Sequence, residues 1–298
     1  MNEGQDRVVS PTLINDSEER TERSLRPTTL GEIIGREREK QNLSMMIESA
    51  KKRGEALDHI LFHGPPGLGK TSMAIVLANE LGVPLHVTTG PAIGKAGDLA
   101  SILTALEPRS VLFIDEVHRL KTSVEELLYP AMEDCVLDIV IGKGPSAKTL
   151  RLDLPQFTIV AATTKLSMLS APLRDRFGVD FRLDFYNEGE LSQIVKQKAA
   201  RLKIDIDDEA ATEIAKRSRM TARVAVRILK RARDLAVVSG LQTINKETSQ
   251  EVLEMLNIDG MGLDTTDKKI LASLYTTFAG KPVGLGTLAA SISEESAT

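Results

Sequence analysis

The segment Gly64-Pro65-Pro66-Gly67-Leu68-Gly69-Lys70-Thr71 constrains this chain more than any other. Glycines at this spacing let backbone N–H groups turn inward around phosphates, and a helix starting at the end of the loop adds its partial positive charge. The arrangement works only where a strand enters the loop and a helix leaves it. Both are present: Ile60-Leu61-Phe62 is a short apolar run, and Thr71 to Leu81 reads as a helix. In such a P-loop, Gly67, Leu68 and Gly69 offer backbone to phosphate, Lys70 contacts the β- and γ-phosphates, and Thr71 is a Mg²⁺ ligand. ATP with Mg²⁺ is the expected ligand.

Further strand-like runs follow at Leu85-His86-Val87, Val111 to Ile114, Phe157 to Ala162 and Phe181 to Phe185, with helical stretches between them. Strands alternating with helices predict a parallel sheet covered on both faces, an α/β fold. One interruption, in which Leu137, Ile139 and Ile141 alternate, then Gly142 to Ser146 turn, then Leu150, Leu152 and Leu154 alternate, predicts an inserted β-hairpin. It is either a plain extension of the sheet or a docking surface. After Tyr186 the strands stop and four helical patterns predict a small all-helical domain. At 298 residues, and about 150 residues per domain, roughly two domains or one large domain with appendages are expected. We divide the chain into a tail at 1–22, a large domain at 23–186, a helical lid at 187–260 and a remainder at 261–298.

The run Val111 to Ile114 ends in Asp115 and Glu116. Asp115 is placed to hold Mg²⁺ and Glu116 to polarise an attacking water. Thr163 and Thr164 end the next strand, where a hydroxyl can orient that water. Arg174 and Arg176 flank Asp175, so that one arginine is paired structurally and the other is free to reach a phosphate in trans. Arg219, Arg223, Arg227 and Arg231 recur every four residues and share one helix face, and Arg223, just after Thr221, can point back towards nucleotide.

P-loop, Asp-Glu, strand-terminal Thr, arginine pair and helical-domain arginine, in that order, resemble the AAA+ ATPases. More closely, Gly97 to Ala100, Leu112 to Leu120, Leu128 to Asp134, the hairpin string Asp138 to Ser146, Arg151 to Pro155 and Pro172 to Gly178 look like the RuvB family of branch-migration motors. The resemblance implies that ATP is also bound by Leu25 and Arg26, by Ser72, by Glu133, Asp134 and Cys135, and by Tyr186. It makes Arg176 the arginine finger and Arg223 the sensor arginine. It further implies a homohexameric ring on duplex DNA at Holliday junctions, a RuvA-type partner docked on the hairpin at 136–154, and a RuvC-type resolvase as a further candidate partner. Met220 and Ala222 stand where the family carries glycine and proline, and Lys165 where it carries arginine. The segment 261–298 reads as an incomplete winged helix lacking the family's basic wing.

Composition narrows the alternatives. A net charge of -4 leaves no overall basic field, aromatic residues at 3% disfavour base-stacking on single strands, and Cys135, the sole cysteine, excludes an intramolecular disulfide. No apolar run approaches the ~20 residues of a membrane span, so the reading is cytoplasmic with no membrane partner. An ATP-gated assembly or loading factor, and a nucleotide-binding module impaired in DNA binding, remain beside the branch-migration motor.

Overall fold

A computed structural model of the chain describes residues 24–141 and 148–294. The predicted tail at 1–22 and the hairpin turn Gly142 to Ser146 lie outside the described residues. The chain divides into two compact units, Met1–Phe185 and Tyr186–Thr298.

The first unit is built on five parallel strands in the order β2-β3-β6-β1-β7: β1 Ile60–His63, β2 Leu85–Thr89, β3 Val111–Asp115, β6 Thr158–Thr163 and β7 Val179–Arg182. Helices α1 (Glu37–Arg53), α2 (Lys70–Leu81), α3 (Ala96–Thr104), α4 (Thr122–Glu133) and the short α5 (Ala171–Arg174) accompany them. Buried on both faces, β1, β3 and β6 need apolar side chains at successive positions, hence the unbroken runs in the sequence. Leu61, Leu112, Ile114 and Ile159 from these strands meet Leu99, Leu103, Val124 and Leu128 from α3 and α4 in one core. The predicted strand Phe181 to Phe185 is corrected to Val179–Arg182: Leu183 is buried but Phe185 is exposed, so their alternation belongs to the chain leaving the sheet.

The inserted hairpin pairs β4 (Val136–Ile141) with β5 (Lys148–Asp153) antiparallel, Leu137 opposite Leu152 and Ile139 opposite Leu150. Leu137 is buried, Ile139 and Leu152 pack partly against the main core, and Leu150 is 44% exposed. The base of the hairpin is therefore an extension of the core, while Leu150 faces solvent.

The second unit packs α6 (Glu188–Arg201), α7 (Asp208–Lys216), α8 (Ala222–Val238) and α9 (Lys246–Met255) together. A capping box starts α6: the Asn187 side chain accepts from the Glu190 N–H and Glu190 from the Asn187 N–H, each at 2.9 Å. The all-helical expectation is corrected by a parallel pair of two-residue strands, β8 (Asp205–Ile206) and β9 (Thr243–Ile244), too short to leave a period in the sequence. Arg219 is corrected as well: α8 begins at Ala222, so Arg219 does not share its face with Arg223, Arg227 and Arg231. Beyond the lid, α10 (Thr265–Thr276) and α11 (Leu285–Ser291) bury only Ser273 and Ala289 respectively, and leave Leu271, Tyr275 and Leu285 exposed.

Candidate nucleotide site

Strand order places the site. From β1 the chain runs through α2 to β2 at the far edge, whereas from β6 it runs through α5 to β7 on the other side of β1. Opposed crossovers of this kind leave a crevice beyond the carboxyl end of the strand between them. The P-loop occupies that position.

The loop's shape depends on glycine. Gly64 has φ 135 and a Cβ there would lie 2.4 Å from the Leu183 carbonyl oxygen, while Gly69, at φ 92, caps α2 in the left-handed region. Gly67 is also left-handed, at φ 80. Leu68 between them is fully buried and anchors the loop. Lys70, 8% exposed, donates from Nζ to the carbonyls of Gly64 and Pro65, each at 2.8 Å, so its ammonium is held over the loop. Ser72 follows in the first turn of α2.

Arg36 was not singled out from the sequence. Its Nη2 donates to the Leu68 carbonyl at 3.1 Å and the Asp184 carbonyl at 3.0 Å, which braces the P-loop from behind. The segment carrying Leu25 and Arg26 is tied to the far end of α2: Asn79 donates to the Thr28 carbonyl at 3.2 Å, and the Leu30 N–H to Glu80 at 3.0 Å. Leu25 is buried there.

At the end of β3, Asp115 Oδ2 faces the Thr71 hydroxyl at 3.5 Å, and its Oδ1 accepts from the Glu116 N–H at 2.9 Å. Two hard oxygen ligands facing each other beside a phosphate loop suit Mg²⁺, which takes few protein ligands and keeps waters and phosphate oxygens for the rest. Among the described residues there is no group of three or more His, Cys, Asp or Glu that would favour another metal. Glu116 stands at φ 49, a left-handed conformation that a non-glycine residue holds only under constraint, and its side chain pairs with Arg119 at 3.0 Å. The Thr163 hydroxyl is buried, 2.9 Å from His118 Nδ1, and accepts from the Lys165 N–H at 3.0 Å, whereas Thr164 is exposed at the strand end. Burial pushes the His118 imidazole below its usual range, against the pull of the Glu116 charge.

The arginine pair departs from expectation. Arg174 lies 3.8 Å from Asp180, which also pairs with His63 at 3.3 Å, and Arg176 is held by Glu133 at 3.0 Å. Neither is free, because the chain turns at the end of α5 and lays Arg176 back along α4. Glu133 ends α4, Asp134 caps it, and half-buried Cys135 follows at φ 53, its thiol raised by burial and then by Asp134. In the second unit, Tyr186 is buried with its N–H on the Met220 carbonyl at 3.1 Å, and Arg223 is exposed in the first turn of α8.

Three family models match consecutively: the Holliday junction DNA helicase RuvB P-loop domain over residues 25–183, the RuvB AAA lid domain over 186–259 and the RuvB C-terminal winged helix domain over 260–298. The Holliday junction branch migration complex subunit RuvB of Clostridium kluyveri is 56% identical over 291 residues, 98% of this chain and 83% of that protein. The solved structure of the Thermotoga maritima RuvB Holliday junction branch migration motor superposes with a TM-score of 0.82 at 48% identity, covering 92% of this chain and 87% of that one. A single-residue variant of the same motor gives 0.83 at 49% identity, over 91% and 87%. With matching domains in the same order along the described chain, this protein belongs to the RuvB family of AAA+ ATPases.

Proposed function

We propose that this chain is an ATP-driven motor of Holliday junction branch migration, and that it hydrolyses ATP at the crevice beyond β1. The observation that carries the reading is the meeting of Thr71 and Asp115 beside the P-loop, in a chain matched by RuvB models from residue 25 to 298. A general loading factor is disfavoured by the RuvB-specific lid and winged-helix matches.

The P-loop backbone binds the phosphates, with Lys70 turning from the Gly64 and Pro65 carbonyls to the β- and γ-oxygens. Thr71 and Asp115 would hold Mg²⁺, which neutralises charge on the phosphates when bound. Glu116, released from Arg119, polarises the attacking water, and Thr163 and His118 fix the floor beneath it by joining the ends of β6 and β3. Leu25, Arg26 and Ser72 contact the nucleotide from its own subunit, and Tyr186 and Arg223 are the lid's own candidates for nucleotide contact. Arg176 completes the site of a neighbour in a homohexameric ring, where Glu133, Asp134 and Cys135 lie at the same interface. A RuvA-type protein docks on the hairpin and delivers the junction.

Leu150 tests the docking. It is exposed and is not among the residues assigned to the nucleotide, unlike Ile139, which packs on the core. Leu150→Asp should lower affinity for a RuvA-type partner at least about tenfold, on the scale of a lost interface anchor, and leave basal ATP turnover unchanged. Stimulation by junction DNA together with the partner should fall in parallel. Undiminished affinity would make the hairpin a sheet extension only, and absence of any ATPase in the parent chain would refute the motor reading.

A further inference from the structure

Arg176 does not rest on the surface by chance, for three groups hold it. Its guanidinium lies over the Tyr129 ring, 4.3 Å from the centroid. Nη2 pairs with Glu133 Oε1 at 3.0 Å, and Nη1 donates to the Pro172 carbonyl at 2.6 Å. Nε is buried with no hydrogen-bond partner among the described residues. The side chain is 21% exposed. A buried donor left unpaired is a cost accepted for this placement.

The two side-chain holders share an origin. Glu125, Tyr129 and Glu133 follow at intervals of four along α4 and therefore line one face of it. Glu125 is only 9% exposed, and its Oε1 accepts from the Tyr129 hydroxyl at 3.1 Å and from Ser170. Ser170 in turn accepts the Leu173 N–H at 3.2 Å and caps α5, the short helix from which Arg176 emerges. One buried carboxylate thus fixes both the ring under the guanidinium and the start of the helix beside it. Burial holds the Tyr129 phenol above its usual range, so the hydroxyl stays a donor to Glu125.

We propose that Tyr129 is a positioning residue for the arginine that completes a neighbouring subunit's nucleotide site, with Glu125 as its anchor. The inference rests on the reading of Arg176 as a group acting in trans. An arginine has much rotamer freedom to lose on meeting a phosphate, and a guanidinium already stacked and paired meets it in a restricted set of poses. Misplacing such a group by about 1 Å can cost ~100-fold in rate. Tyr129 touches neither substrate nor phosphate in this scheme. Its effect belongs to turnover, and in the subunit next door.

The experiment uses full-length rings of Tyr129→Leu and Tyr129→Phe. Tyr129→Leu should lower kcat by about 10- to 100-fold with KM and the nucleotide affinity of the isolated subunit unchanged, whereas Tyr129→Phe, which keeps the ring face but loses the bond to Glu125, should lose less, about three- to tenfold. Mixing supplies the readout that a purely structural role would not move. Tyr129→Leu subunits combined with Lys70→Ala subunits should regain turnover, because each intact P-loop then receives Arg176 from a neighbour with an intact ring. If Tyr129→Leu fails to fold, Tyr129→Met fills a similar volume and carries the same test. Parental kcat in Tyr129→Leu, loss of nucleotide affinity in its isolated subunit, or no recovery on mixing would each overturn the proposal. Arg176→Ala mixed with Lys70→Ala separates the two readings. Recovery there, without recovery for Tyr129→Leu, removes only the positioning role; no recovery in either pair of mixed rings removes the trans role of Arg176 itself.

Discussion

Replacing Met220 with glycine isolates the backbone strain ahead of Arg223, because almost nothing else changes. Arg219 and Met220 have φ values of 50 and 54, two consecutive residues in the left-handed region, where a Cβ costs about 1–2 kcal/mol. The Met220 side chain is 56% exposed, so its removal forfeits little buried area, and the carbonyl that accepts the Tyr186 N–H at 3.1 Å is retained. Against the relief stands glycine's greater freedom in the unfolded chain, about 0.5–1 kcal/mol. A net gain of about 0.5–1 kcal/mol remains, which for a unit of roughly a hundred residues raises Tm by about 2–8 °C. Thermal and urea denaturation of the parent and Met220→Gly chains measure it directly. Arg219 should keep its hold on the Gly262 carbonyl, at 3.2 Å, and on the carboxylates of Asp264 and Asp267. An unchanged or lower midpoint would show that the turn is not strained by Met220, and that the left-handed backbone is stabilised by contacts of the side chain itself.

The remaining predictions concern chemistry and pH. Glu116→Gln should bind ATP with near-parental affinity and lose turnover by at least about 100-fold, since the amide cannot polarise water as the carboxylate does; single-turnover hydrolysis at the parental rate would remove Glu116 from the mechanism. Acidification should destabilise the first unit through His59, whose Nδ1 accepts the Ile159 N–H at 2.9 Å while Nε2 reaches the Met132 carbonyl at 3.2 Å, a pairing open only to the neutral ring. Burial lowers its pKa in the fold, so the unfolded chain takes up the proton first and stability falls as pH drops through the unfolded value of about 6.5. Burial also lowers His63 and His118, which adds to the same trend. Denaturation midpoints at pH 7.5 and 5.5 should differ in that direction, and the difference should shrink in His59→Gln; equal midpoints in the parent would refute the argument.

Sequence is most informative where one local requirement dictates several residue types at once. The P-loop is such a case, since Gly64 and Gly69 are demanded by backbone geometry and Lys70 by charge, all within one turn of chain. The interior strands β1, β3 and β6 were equally plain because burial on both faces selects apolar residues along most of their length, the buried Thr158 and Thr163 standing only at the ends of β6. What escaped depends on partners far along the chain. Arg36 reaches carbonyls 32 and 148 residues away, and a backbone carbonyl leaves no mark in the sequence by which its donor could be found. The four-residue arginine spacing failed at Arg219 for a related reason: the period assumes a continuous helix, and the left-handed turn at Arg219 and Met220 ends it just where the usual glycine signal is missing. The spacing of Glu125, Tyr129 and Glu133 was visible as one face of α4 but not as a cradle, because periodicity tells which side chains lie together and not what lies on them. The residues of the nucleotide site divide accordingly. The groups that meet phosphate within one subunit are encoded by local motifs, whereas those that aim an arginine at the next subunit are encoded only by packing, and it is there that substitutions outside any recognised motif should change turnover without changing affinity.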